Sequence, residues 1–78
     1  MTDKLREVFA VTLNLPEESI NDTTSPANTG AWDSLANMLL IAAIEETFEI
    51  ELSTNEIEKM TSVGAVRAVL DKRQVATV

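Results

Sequence analysis

From Ser34 to about Glu49 the chain reads Ser-Leu-Ala-Asn-Met-Leu-Leu-Ile-Ala-Ala-Ile-Glu-Glu-Thr-Phe-Glu, sixteen residues without a glycine or proline. Leucine, alanine, methionine and glutamate lose little freedom on entering a helix, so this stretch predicts an α-helix. It is too short to cross a bilayer, which takes roughly 20 apolar residues. A helix this apolar persists in water only when other helices cover part of it, and 78 residues suffice for one small core. The expectation is a single all-α domain over residues 1–78, built as a bundle of packed helices.

The flanking segments supply the partners. Over residues 2 to about 14, Leu5, Val8, Phe9 and Leu13 recur at helical spacing, with Thr2 or Asp3 placed to cap the first turn. Residues 15–31 hold both prolines, Gly30 and the polar run Asn21-Asp22-Thr23-Thr24-Ser25, which predicts a long loop without helix or strand. Ile20 and Trp32 are its expected apolar anchors. Asp33 can cap the helix that follows. Phe48-Glu49-Ile50-Glu51-Leu52 alternates like a strand but has no second strand to pair with, so it reads as a connection. Ser53 with Glu56 makes a capping-box pattern for a short third helix holding Ile57 and Met60. Thr61 or Ser62 then caps a last helix with Val63, Val66, Val69 and Leu70 inward, and the tail after Arg73 is expected to fray. The fold class is therefore a four-helix bundle with a long loop between helices one and two and a short third helix.

Composition removes most independent chemistries. The chain has no cysteine and no histidine, hence no disulfide, no thiolate metal site and no common general base. Asn21-Asp22-Thr23 lacks the spaced oxygen ligands and turn glycine of a calcium loop, so no metal is expected. Eleven of thirteen acidic residues lie between Arg6 and Lys59, a stretch with no lysine or arginine, and the net charge is −7. Such a field repels nucleic acid and anionic lipid and favours encounter with basic protein surfaces, although the same acids would also keep a small domain soluble. Met1-Thr2-Asp3-Lys4 shows neither a basic leader nor a signal-type apolar segment, which points to a cytoplasmic protein.

Turning the second helix by about 100° per residue separates two arcs. Leu40, Ile41, Ile44 and Phe48 fall together with Ala36 and Ala43 as the core face, and Asn37 falls among them, expected to turn toward the long loop. The opposite arc carries Ser34, Leu35, Met38, Leu39, Ala42, Glu45, Glu46 and Glu49. Its mixture of apolar and acidic residues suits docking to a basic partner. The alternative is that Leu35, Met38 and Leu39 lie under the loop and third helix. Ser34 has two readings as well. Serine at a helix start is commonly a cap, but Asp33 already fills that role, and a helix N-terminus stabilises an anion attached to it. A phosphodiester on Ser34 would sit well. A serine nucleophile would not, because no base is available to activate it, so no catalytic residues and no enzyme are expected.

Asp33-Ser34-Leu35 ahead of Ile44-Glu45-Glu46-Thr47-Phe48 and Ile57-Glu58-Lys59-Met60-Thr61-Ser62-Val63 resembles the acyl carrier proteins over nearly the whole chain. The resemblance implies a four-helix bundle whose serine receives 4′-phosphopantetheine from coenzyme A through a separate magnesium-dependent phosphopantetheinyl transferase. It implies Ser34 as attachment site, Asp33 as an aid to the transferase's metal-bound complex, and Leu35 as a contact at the helix entrance. Met38 and Leu39 would extend that contact, and Glu45, Glu46, Glu56 and Glu58 would present acids to partners. Leu40, Ile44, Phe48, Leu52, Ile57 and Val63 would line the apolar interior available to an acyl chain. The first turns after the serine, Leu35-Ala36-Asn37-Met38-Leu39, lack the acids usual in fatty-acid carriers, and Trp32 resembles freestanding carriers of specialised pathways.

The implied function is a non-catalytic, monomeric carrier that holds acyl or related groups as thioesters. It would present them to acyl- or aminoacyl-activating and synthase enzymes with basic docking surfaces, in fatty-acid, modified-lipid or polyketide synthesis. A peptidyl or aminoacyl carrier is the alternative within the class, although Ala31-Trp32 departs from the glycines usual before its serine motif. An acidic helical interaction domain with Ser34 only a cap is the alternative outside it.

Overall fold

The computed structural model describes residues 3–76, which form four α-helices joined by one long and two short connections. Helix α1 spans Lys4–Leu13, and the carboxylate of Asp3 accepts the Arg6 backbone N–H at 3.2 Å to cap it. Thr2, the other candidate cap, lies outside the described residues. The helix stops at Asn14, which takes the left-handed conformation (φ 56°) and lets Leu15 N–H close on the Ala10 carbonyl.

The long connection corrects one expectation, because it contains a 3-10 turn over Glu17–Ser19. Pro16, at φ −60°, precedes the turn, where its missing N–H costs nothing, and its carbonyl accepts both Ser19 N–H and Ser19 Oγ–H. Beyond it the loop is fastened by its own side chains: Thr24 Oγ1 accepts the Asn21 N–H, and Asn28 bridges Ser25 and Thr23. Ile20 and Trp32 are buried, as their role as anchors requires.

The second helix, α2, spans Ser34–Phe48 and ends at Glu49 in the left-handed conformation (φ 54°), with Ile50 N–H returning to the Glu45 carbonyl. Glu45 then turns its carboxylate onto the Leu52 N–H at 2.8 Å, which fixes the path to α3, Thr54–Glu58. The Ser53–Glu56 capping box is present with both of its hydrogen bonds. Met60, expected within the third helix, stands just beyond it and is buried.

Helix α4, Val63–Lys72, is capped by Ser62 through the Ala65 N–H. Its first amides turn outward to the loop, Val63 N–H to the Thr24 carbonyl at 2.9 Å and Gly64 N–H to the Asp22 carbonyl at 3.0 Å. Gly64 is required for that approach, since a Cβ there would stand 3.0 Å from the Asp22 carbonyl oxygen. The described part of the tail differs from the expected fraying after Arg73: the chain turns back at Gln74 (φ 60°), and Val75 N–H reaches the Leu70 carbonyl while its side chain packs on the core. Thr77 and Val78 lie outside the described residues.

Leu5, Phe9 and Leu13 of α1 meet Ala36, Leu40 and Ile44 of α2, and Val63, Val66 and Leu70 of α4 complete the core. Each large side chain fully buried in this way contributes about 1.5–3 kcal/mol. Ile41, Ala43 and Phe48, expected inside, are half-buried at the core's margin. Two ion-pair clusters lie over it. Arg67 holds Asp3 at 2.8 Å and Asp22 at 3.2 Å, and Arg73 holds Glu56. Water and salt screen pairs at the surface, so each adds little to stability by itself, and their main effect is to register α4 against the loop and α3. Among the described residues no helix is long and apolar enough to cross a membrane.

Candidate functional site

Ser34 is the first residue of α2, and the capping arrangement leaves it open. Asp33 Oδ1 accepts the Ala36 N–H at 2.9 Å, and the Asp33 carbonyl accepts the Asn37 N–H at 2.8 Å. The backbone N–H groups of Ser34 and Leu35 and the Ser34 hydroxyl make no hydrogen bond among the described residues, and Ser34 is exposed. An accessible hydroxyl therefore sits beside two open donors at the positive end of a fifteen-residue helix. That arrangement fits a phosphodiester joined at Oγ.

The segment before Ser34 is anchored through Trp32. Trp32 N–H bonds to the Thr29 carbonyl at 3.0 Å, and its ring, 2% exposed, lies tilted against Phe9 at 5.0 Å between centroids. Trp32 Nε1–H donates to Asn37 Oδ1 at 3.0 Å, across the first turn of α2. Asn37 thus turns toward the loop, as its place among apolar residues requires. Ser34, Asp33, Trp32 and Asn37 share an open cleft of about 540 Å³ with Pro26, Ala27, Met60 and Thr61. The roles of Asn37, Met60 and Thr61 beside Ser34 escape sequence reasoning; the one signal is an asparagine on an otherwise apolar arc. A larger cleft, about 660 Å³, lies beside Asp3, Arg6, Asp22 and Arg67, where the opposite charges of Arg67, Asp3 and Asp22 satisfy one another.

The outer arc of α2 is uncovered. Leu35, Met38 and Leu39 are 66%, 68% and 53% exposed, so neither the loop nor α3 shields them. The acids expected to accompany them divide into two pairs. Glu46 and Glu58 are exposed, whereas Glu45 is engaged by Leu52 and Glu56 by Arg73 and Ser53. Hydrogen bonds from Arg73, then from the Ser53 backbone, hold the Glu56 carboxyl at about 2. For Asp3, burial pushes the carboxyl upward, but hydrogen bonds from Arg67 and the Arg6 backbone outweigh it and leave it lowered. The arginines are turned inward too: Arg6 donates to the Glu17 carbonyl, Arg67 to Asp3 and Asp22, and Arg73 to Glu56.

The six residues expected to line the interior belong to one apolar cluster. Leu40, Ile44 and Val63 are fully buried within it, and Phe48, Leu52 and Ile57 are partly buried and pack against it.

Comparison with known proteins agrees with this geometry. The phosphopantetheine attachment site family matches residues 3–70. An acyl carrier protein of Streptomyces coelicolor is 34% identical over 71 residues, covering 90% of this chain and 77% of that protein. The solution structure of a holo acyl carrier protein from Geobacter metallireducens superposes with a TM-score of 0.79 at 26% identity, over 94% of this chain and 87% of that one.

Proposed function

This chain belongs to the acyl carrier protein family, whose prosthetic group is covalently attached 4′-phosphopantetheine, and from that premise we propose that the group is joined to Ser34 Oγ. The observation that carries this assignment is the exposed, unbonded Ser34 hydroxyl at the start of a helix whose cap is Asp33. In the loading step Ser34 Oγ forms a new bond to phosphorus and gives up its proton, while the nucleotide half of coenzyme A leaves. The chain has no histidine, and the neighbouring Asp33 carboxylate is engaged as the cap of α2, so we assign the base that takes the proton to the transferase.

Once attached, the group supplies a terminal thiol that this cysteine-free chain lacks, and acyl cargo is held there as a thioester. The chain itself contributes anchoring and recognition. The open N–H groups at Ser34 and Leu35 would stabilise the negative charge of the phosphodiester. Leu35, Met38 and Leu39 offer adaptable apolar contact, and Glu46 and Glu58 steer basic partner surfaces. Glu45 and Glu56 support the same surface indirectly, by fixing the path into α3 and its first turn. The cluster around Leu40, Ile44, Phe48, Leu52, Ile57 and Val63 is the interior available to an acyl chain. The turn Leu35-Ala36-Asn37-Met38-Leu39, without the acids usual in fatty-acid carriers, favours a dedicated carrier of modified-lipid or polyketide synthesis over a housekeeping fatty-acid carrier. We read the chain as a cytoplasmic, monomeric carrier whose chemistry belongs to its cofactor and partners.

Incubation with a broad-specificity phosphopantetheinyl transferase and coenzyme A tests the assignment. Intact mass should rise by one phosphopantetheine, and Ser34→Ala should abolish the gain. A wild-type chain that stays unmodified with several such transferases, or a Ser34→Ala chain that is still loaded, would remove Ser34 from this role.

A further inference from the structure

Asn37 is a polar residue on an apolar arc, and only half of its amide is used inside the protein. An indole N–H can only donate, so the atom facing Trp32 Nε1 at 3.0 Å must be the oxygen, and the orientation of the amide is thereby fixed. The other end, Nδ2 with its two N–H donors, makes no hydrogen bond among the described residues. Nor is it sealed in, because no fully buried side-chain nitrogen or oxygen among those residues lacks a partner. Asn37 lines the cleft that it shares with Ser34, so the open donor has that cleft beside it.

That cleft has a consistent chemical character. Trp32, Met60, Pro26 and Ala27 give it apolar surface, Thr61 brings a hydroxyl, and its volume of about 540 Å³ lies within the ordinary range of small-molecule sites, about 300–1,000 Å³. Residues three apart on a helix are neighbours on one face, so an oxygen carried on Ser34 lies within reach of Asn37. The pantetheine arm alternates oxygen acceptors with methyl and methylene groups.

We propose that the arm rests in this cleft, with Asn37 Nδ2 donating to one of its oxygens and Trp32 acting as the positioning residue that points the amide outward. This rests on Ser34 being the attachment site. The arm is then held against the loop between partner visits, and presentation of cargo begins with its release from the cleft.

The test uses isotope-labelled protein loaded to completion with an unlabelled arm, confirmed by intact mass. Isotope-filtered nuclear Overhauser spectra should connect the arm's geminal methyls to the Trp32 ring and the Met60 methyl, and the Asn37 side-chain amide signal should shift on loading. Asn37→Asp keeps an oxygen for the indole but replaces the donor with an acceptor. In that variant, loaded to the same mass, the methyl contacts should be lost or sharply weakened. A loaded wild-type protein with no contact from the arm to Trp32 or Met60 overturns the proposal, as does an Asn37→Asp protein whose contacts equal those of the wild type. Absence of any mass gain instead overturns the assignment of Ser34, and this inference with it.

Discussion

Arg73, at the end of α4, grips Glu56 of α3 with Nε at 2.7 Å and Nη2 at 2.6 Å, and its guanidinium also reaches the Glu51 carbonyl. A helix of five residues with no fully buried side chain is thereby tied to the far end of the bundle.

The grip makes acid stability depend on Glu56. Its carboxyl lies at about 2 in the folded chain against 4.5 ordinarily, so between these values the unfolded chain binds more protons. The resulting stabilisation is complete above about pH 4.5 and is lost as pH falls through about 2. Urea unfolding across that interval should show a flatter pH dependence for Glu56→Gln than for the wild type. Equal slopes would mean the ion pair is not maintained in solution.

Asp33 and Ser34 should separate cleanly in their effects. Asp33→Ala removes the cap of α2 and should cost about 1 kcal/mol, read as a lower urea midpoint. Ser34→Ala removes an exposed hydroxyl with no partner among the described residues and should change stability by less than about 0.5 kcal/mol while abolishing loading. A large loss of stability in Ser34→Ala would return that serine to a structural role.

Gly64→Ala should be destabilising although it replaces glycine inside a helix. The helical preference for alanine gains about 1 kcal/mol, but the new Cβ meets the Asp22 backbone oxygen at 3.0 Å. Overpacking of this kind costs about 1–3 kcal/mol, and the loop cannot withdraw without losing the bonds from Val63 and Gly64. Chemical denaturation and the amide shifts of residues 21–24 report both effects.

Met38→Ser tests the outer arc of α2. The side chain is 68% exposed, so stability should stay within about 0.5 kcal/mol, whereas affinity for a transferase that docks there should fall severalfold. Titration calorimetry measures this directly. Unchanged affinity after substitution at both Met38 and Leu39 would place the docking surface elsewhere.

What was legible in advance follows the range of the interactions concerned. Asp33, Ser62 and the Ser53–Glu56 pair bond to backbone within three residues, so type and spacing place the starts of α2 and α3 and bring the start of α4 to a choice between Thr61 and Ser62. The 3-10 turn after Pro16 and the return of Val75 to Leu70 depend on closures that helical periodicity does not encode. A helical wheel sorted Leu35, Met38 and Leu39 onto one arc but carried no information about what lies above it. Glu45 and Glu56 looked like surface acids because their partners, Leu52 and Arg73, stand 7 and 17 residues away. Asn37 drew notice as an exception, yet its orientation follows only from where the indole of Trp32 comes to rest.

Trp32 is the only tryptophan, and the chain has no tyrosine. Its indole touches Phe9 of the core and Asn37 beside Ser34 at once. The molecule therefore contains its own optical reporter: selective excitation of one ring, without background, follows arm attachment and core loosening as separable changes in emission wavelength and intensity.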